Sequence, residues 1–146
     1  MDLEGSDMAK IELHEGHALT RAGEDYLEAI YVLSLKEDGG SVRSVDVAED
    51  LKVSKASVNK ALSMLKEEGM VNQEHYGKVT LTDEGRSYAR LVWRAHRALR
   101  AFLTDEIGVD AETADEEACL MEHALSAKTM NLLVDHLKAK GIFIED

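Results

Sequence analysis

Residues 117–123 read Glu-Ala-Cys-Leu-Met-Glu-His and contain Cys119, the only cysteine of the chain. Glu122 lies three residues beyond it and His123 four. On a helix those spacings bring three side chains to one face. A thiolate, a carboxylate and an imidazole placed together are donors for a divalent transition metal. Each also has an ordinary use: a lone cysteine behaves as a small buried apolar residue, and a single glutamate or histidine is commonly a solvated side chain. Three donors from one segment leave a coordination shell incomplete, so further donors must come from elsewhere.

His96 is one candidate. In the segment around it Leu91, Val92, Ala95, Leu99, Phe102 and Leu103 fall on one side of a helical wheel, and Arg86, Arg90, Arg94, Arg97 and Arg100 gather opposite. His96 sits at the rim of the apolar side, where either a core histidine or a ligand aimed at a neighbouring helix would be found. Asp25 and Glu28, three residues apart near Leu27 and Ile30, are another candidate pair. Paired acids in a first turn also serve the helix dipole. His14 and His17 stand in His-Glu-Gly-His, which lacks the His-Glu-x-x-His spacing of a zinc hydrolase.

The chain that must position these residues has 146 residues and a net charge of −12. It is long enough for one or two small domains with a core that needs no disulfide. A single cysteine cannot bridge internally, so a reducing cytoplasmic setting is expected. No apolar run approaches the roughly 18 residues of a membrane span, and the polar, acidic start Met-Asp-Leu-Glu-Gly-Ser-Asp is unlike a signal peptide. The acidic average repels nucleic acid, yet the charge is segregated. Lys52 to Lys66 holds four lysines and no acid, Arg86 to Arg100 five arginines and no acid, and Thr104 to His123 eight acids and no Lys or Arg. One such block can be a solvated helix face. A basic half followed by an acidic half suggests two tasks.

The chain lacks proline, so element boundaries are read from glycines and caps. Residues 1–17 show no sustained periodicity and are expected to form a mobile tail. A helix is predicted from Thr20 to Lys36 on Leu27, Ile30, Tyr31 and Leu33, a short one from Ser44 to Leu51, and a third capped by Ser54 and running to Glu68. Strands follow at 70–75 and 79–82 around a turn at Gly77. A long helix is expected to about Glu106, then one from Asp110 to Leu125, then one capped by Ser126 and ending before Gly141. Helix, short helix, helix and hairpin is the order of a winged helix-turn-helix. The fold class is therefore mainly α, with a DNA-binding domain over 18–85 and an all-helical dimerisation and metal-binding domain over 86–146. The third helix would read DNA. Lys55, Ser57, Asn59 and Lys60 lie away from Val58, Ala61 and Leu62; lysines suit phosphates, and Asn, Ser and Lys can reach base edges.

Together these residues resemble a family, that of the metal-dependent repressors which includes the diphtheria toxin repressor and the manganese transport regulator. The resemblance covers about residues 20–140. It is carried by Glu-Asp-Tyr-Leu-Glu-Ala-Ile-Tyr at 24–31, the run at 47–60, Gly-Lys-Val-Thr-Leu-Thr-Asp-Glu-Gly at 77–85, the run at 95–110 and, most specifically, the run at 115–126. It implies that Asp25, Glu28, His96, Glu122 and His123 match the ligands of a two-metal site of the manganese branch. Cys119 departs from that branch, which has a glutamate there, and agrees with the iron branch. The iron branch has a methionine where Asp25 stands, and its second site needs a Glu at Arg100 and a His at Asp115. The resemblance thus implies a hybrid donor set for Mn(II) or Fe(II), in a short form without the C-terminal barrel domain of longer members.

The expected mechanism is a homodimer formed by the last helices, with Leu120, Met121, Leu125, Met130, Leu132 and Leu133 as apolar contacts. Two recognition helices would meet double-stranded operator DNA roughly 34 Å apart. Metal would act as co-repressor of metal-uptake genes, with a coupling of about 1–3 kcal/mol per protomer. Two rivals are a winged-helix regulator sensing a small molecule and a metal-dependent enzyme. The first is disfavoured by the scarcity of aromatics for lining a pocket, the second by the absence of paired Glu-x-x-His motifs. No catalytic residue is expected.

Overall fold

Five helices start at a residue whose side-chain oxygen accepts a backbone N–H three residues on. These are Thr20 from Gly23 (3.0 Å), Ser54 from Ser57 (3.1 Å), Thr82 from Gly85 (3.0 Å), Asp110 from Thr113 (3.0 Å) and Ser126 from Thr129 (3.1 Å). Each cap satisfies one of the orphan donors of a first turn. In the computed structural model the described residues are 19–37, 40–74, 77–142 and 144. His14 and His17, and the expected tail, lie outside them. The elements are α1 (Arg21–Ser34), β1 (Val42–Arg43), α2 (Ser44–Leu51), α3 (Lys55–Glu67), β2 (Val71–Gln73), β3 (Lys78–Leu81), α4 (Asp83–Ala101), a π-helical segment (Phe102–Ile107), α5 (Ala111–Met121) and α6 (Ala127–Ala139). The described chain divides into two units, Leu19–Arg90 and the residues from Leu91 onward.

The first unit is a winged helix-turn-helix. Helix α1 places Leu27, Ile30 and Tyr31 inward by their i, i+3, i+4 spacing, and Leu27 and Ile30 are fully buried. Leu33, expected on that face, is only half-buried; Ser34 takes the inner position, its hydroxyl donating to the Tyr31 carbonyl at 2.6 Å. Between α2 and α3 the turn runs through Lys52, whose left-handed backbone (φ 56°, ψ 47°) lets the Val53 N–H reach the Ala48 carbonyl. Val58, Ala61, Leu62 and Leu65 face the core from α3. Each fully buried leucine contributes roughly 1.5–3 kcal/mol by leaving water.

The wing is a three-stranded antiparallel sheet in the order β1-β3-β2, with Val42 opposite Val79 and Val71 opposite Leu81. β1 was not predicted, because two residues cannot display an alternation. The first turn of α4 fits tightly against the end of β2. An ideal Cβ on Gly85 would lie 1.9 Å from the Met70 carbonyl oxygen, and the Gly85 N–H donates to Thr82 Oγ1 at 3.0 Å.

The second unit packs Ala95, Ala98, Leu99, Leu103, Ala114, Ala118, Met130, Val134 and Leu137 into one core. The α-helix expected to reach Glu106 ends at Ala101 and continues as a π-helix. Thr104 gives a local reason: its hydroxyl lies 3.1 Å from the Arg100 carbonyl and 3.3 Å from that of Ala101, in competition with the backbone ladder. Gly108, with φ 88°, then turns the chain. Of the six apolar residues expected at a dimer surface, Leu120 and Leu132 are about 60% exposed (60% and 61%). Met130 is a core residue and thus a correction: it lies one turn before Val134 and faces inward with it. Met121, Leu125 and Leu133 pack partly against that core.

Candidate metal centre and nucleic-acid surface

Cys119 stands in the last turn of α5, which closes at Met121 rather than at Leu125 as expected. Ser126 already caps the next helix, and the Ala124 N–H turns back to the Met121 carbonyl at 3.0 Å. The donor face survives because Glu122, the C-cap, keeps right-handed helical backbone (φ −59°, ψ −29°). Donor atoms of Cys119, Glu122 and His123 lie within 4.8 Å of one another.

Glu122 is the hub of this arrangement. One carboxylate oxygen is 3.6 Å from His123 Nε2, and the other is 3.7 Å from His96 Nδ1. Metal bonds of about 2.0–2.3 Å separate neighbouring donors by roughly 3–3.7 Å, so these gaps suit a shared cation better than direct hydrogen bonds. Glu122 is 1% exposed and His96 6%. A carboxylate that deep is costly unless positive charge or donors surround it. Sulfur, nitrogen and oxygen donors in one cluster fit a first-row divalent metal.

His96 is held from two further sides. Its Nε2 is 2.8 Å from Asp115 Oδ1, and its ring stacks on Trp93 with centroids 5.5 Å apart and an interplanar angle of 6°. Arg97 lies over the Trp93 ring at 5.5 Å, and Arg100 Nε is 4.0 Å from Asp115. Sequence reading missed Asp115 as a partner of His96, since their proximity depends on how α4 and α5 pack.

In the first unit, Asp25 and Glu28 are both half-buried on α1, three residues apart. The neighbouring Glu24, not singled out from sequence, is 1% exposed. Tyr88 of α4 donates its hydroxyl to Glu24 at 2.6 Å and accepts the Leu19 N–H at 3.1 Å. Burial, and then the Glu24 carboxylate, push the Tyr88 hydroxyl pKa well above its ordinary value. The signal was present: Glu24 falls in line with Leu27 and Tyr31, on the apolar stripe of α1.

On α3, Lys55, Ser57, Asn59 and Lys60 are all exposed, opposite the buried Val58, Ala61 and Leu62. Ser57 is the least available of the four, because Ser54 Oγ donates to its hydroxyl at 3.0 Å within the cap. Ala56 is exposed as well, a methyl group between Lys55 and Ser57. Lys52 and Lys66 are exposed as well, so the basic block faces solvent.

Comparison with known proteins agrees with both halves. Residues 18–79 match the model of the iron-dependent repressor N-terminal DNA-binding domain, and 82–140 that of the iron-dependent repressor metal-binding and dimerisation domain. An uncharacterised HTH-type transcriptional regulator of Methanocaldococcus jannaschii is 36% identical over 115 residues, 79% of this chain and 91% of that one. The diphtheria toxin repressor of Corynebacterium diphtheriae is 34% identical over 115 residues, 79% of this chain and 50% of that one. The chain thus spans about half the length of that repressor. A solved manganese-dependent transcriptional repressor in complex with manganese superposes with a TM-score of 0.71 at 33% identity, over 80% of this chain and 52% of that one.

Proposed function

The chain belongs to the iron-dependent repressor family, metal-responsive DNA-binding regulators rather than enzymes, and from that premise we propose that it is a cytoplasmic homodimer that represses metal-uptake genes when Mn(II) or Fe(II) is bound. The observation that carries this reading is the Glu122 carboxylate set between His96 and His123, with Cys119 beside it. Those four residues supply donors from one unit. Asp25 and Glu28 of α1 are the proposed donors from the other. Asp25 would join Cys119, Glu122 and His123 in the firmer position, and Glu28 would join His96 in a second.

A bound cation supplies the positive charge that lets several carboxylates share one site. Without it Asp25, Glu28 and Glu122 repel, and the spacing of the two recognition helices is less well populated. A differential of about 1–3 kcal/mol between the two states is sufficient for a several-fold to hundred-fold change in operator affinity. Lys55, Asn59 and Lys60, with a smaller part for Ser57, would contact operator DNA, the lysines mainly through phosphates. The exposed Leu120 and Leu132 are the apolar residues offered to a second copy. No helix among the described residues is long and apolar enough to cross a membrane.

Small-molecule sensing finds less support. The apolar cavity beside Glu122, lined by Leu91, Val92, Leu125, Met130 and Val134 among others, measures only about 50 Å³. A larger one of about 350 Å³ is walled mostly by the polar or charged Arg97, Arg100, Thr104 and Asp105, whereas ligand pockets run from roughly 300 to 1,000 Å³ and are predominantly apolar. The deciding experiment is an anaerobic titration of operator binding with Mn(II) and with Fe(II), in wild type and Glu122→Ala. Activation by either metal that disappears in the variant supports the proposal. Operator binding indifferent to both metals in wild type would reject it.

A further inference from the structure

We propose that Asp115 is a positioning residue of the metal centre, holding His96 so that its Nδ1, rather than its Nε2, is presented to the cation. The inference rests on the metal-centre reading above and adds to it a residue outside the ligand set. An ionised carboxylate only accepts hydrogen bonds. The 2.8 Å contact between His96 Nε2 and Asp115 Oδ1 therefore places the ring hydrogen on Nε2. In the neutral imidazole the lone pair is then on Nδ1, the atom that lies 3.7 Å from Glu122 Oε2. A ligating histidine whose second nitrogen donates to a carboxylate is fixed in tautomer and ring orientation, and is a more basic donor.

Two further contacts and a difference in burial make the arrangement specific. Trp93 lies parallel to the imidazole and limits its tilt. Arg100 Nε, 4.0 Å from Asp115 Oδ1, draws the carboxylate to the same side of α4 as the ring it holds. The Asp115 side chain is 56% exposed while that of His96 is 8% exposed. The carboxylate thus holds the ring from its solvent edge and leaves the inner edge to Glu122. Asp115 and Arg100 are the positions where the iron-type second site would need a His and a Glu. Here the same two positions form a buttress for His96.

The test uses the full chain, with Co(II) as the metal, under anaerobic conditions. Affinity is read from visible absorption and from the emission of Trp93, the only tryptophan. Asp115→Ala is expected to weaken Co(II) about 10–100-fold, and Asp115→Asn less, since the amide oxygen still accepts the Nε2 hydrogen. At saturation both variants should keep the wild-type cobalt bands, because the ligands are unchanged. Trp93 emission of the metal-free Ala variant should differ from wild type, reporting a ring no longer held parallel. Unaltered affinity in Asp115→Ala would overturn the proposal, and so would shifted bands at saturation, which would make Asp115 itself a ligand. His96→Ala separates the two levels. If it binds Co(II) as wild type does, the reading of His96 as a ligand fails; if it is weakened while Asp115→Ala is not, only the role of Asp115 falls.

Discussion

The two units use helices of similar construction to opposite ends. Helix α3 begins at a serine cap, buries Val58, Ala61, Leu62 and Leu65, and leaves the lysines proposed to meet DNA in solvent. Helix α5 begins at an aspartate cap, leaves Asp115, Glu116 and Glu117 in solvent, and buries the proposed metal donor Glu122 at its end. A surface that recognises a polyanion keeps its charges hydrated until the partner arrives. A site for a small cation must remove its carboxylate from water beforehand, at a cost to the metal-free state. Changes in the first unit's polar face should therefore alter affinity with little effect on folding. Changes at the second unit's buried donors should alter both.

The largest effect that would sharpen this contrast is expected from Glu122→Ala. Loss of the hub carboxylate should lower metal affinity by roughly 100-fold or more, beyond the 10–100-fold of an outer-shell change. Metal-free DNA binding should not fall below that of wild type, measured by fluorescence anisotropy with and without metal. A variant that lost metal-free DNA binding as well would break the contrast.

Next is Tyr88→Phe, which puts a buried polar contact in the otherwise surface-working unit. Losing the bond to Glu24 should cost about 1–3 kcal/mol in denaturant unfolding. Because the folded-state pKa of Tyr88 is raised, its contribution is complete below the unfolded value of about 10 and is lost as pH rises above it. Wild type should therefore lose stability above pH ~10 more steeply than Tyr88→Phe.

Smaller again are Lys55→Ala and Lys60→Ala. Each should weaken operator binding roughly five-fold and reduce the slope of log affinity against log salt by about 1. Metal affinity, followed by titration, should not move. The finest comparison is a matched pair of cap deletions, Ser54→Ala and Ser126→Ala, each costing about 0.5–1 kcal/mol. Hydrogen exchange should register the first in α3 and the second in α6.

The sequence was most informative where side-chain periodicity and caps coincide. Thr20, Ser54, Asp110 and Ser126 marked helix starts, and Val58, Ala61 and Leu62 the inner face of α3. Helix ends were harder to read. Nothing in Phe102–Ile107 announces a change of hydrogen-bond register, because the competing bonds of Thr104 depend on rotamer rather than residue type. The clustering of Cys119, Glu122 and His123 was legible from spacing alone and survived the early end of α5, since the C-cap stays helical. The approach of Glu122 to His96, and the contact of His96 with Asp115 across 19 residues of chain, join residues far apart in sequence. No local pattern encodes either.

Gly85 bears on what a signature means. It stands in the Thr-Asp-Glu-Gly run that helped to carry the resemblance, yet it is neither a proposed metal donor nor one of the α3 lysines. Its role is clearance: a single added carbon would collide with the Met70 carbonyl. In the vocabulary of mutational tolerance, this is a position with an alphabet of one letter, set by volume alone. Shared letters of that kind certify the shape of the winged helix and are silent about its ligands. Functional inference for this chain therefore has to weigh Glu122 and His96 above residues that are shared merely because nothing larger fits.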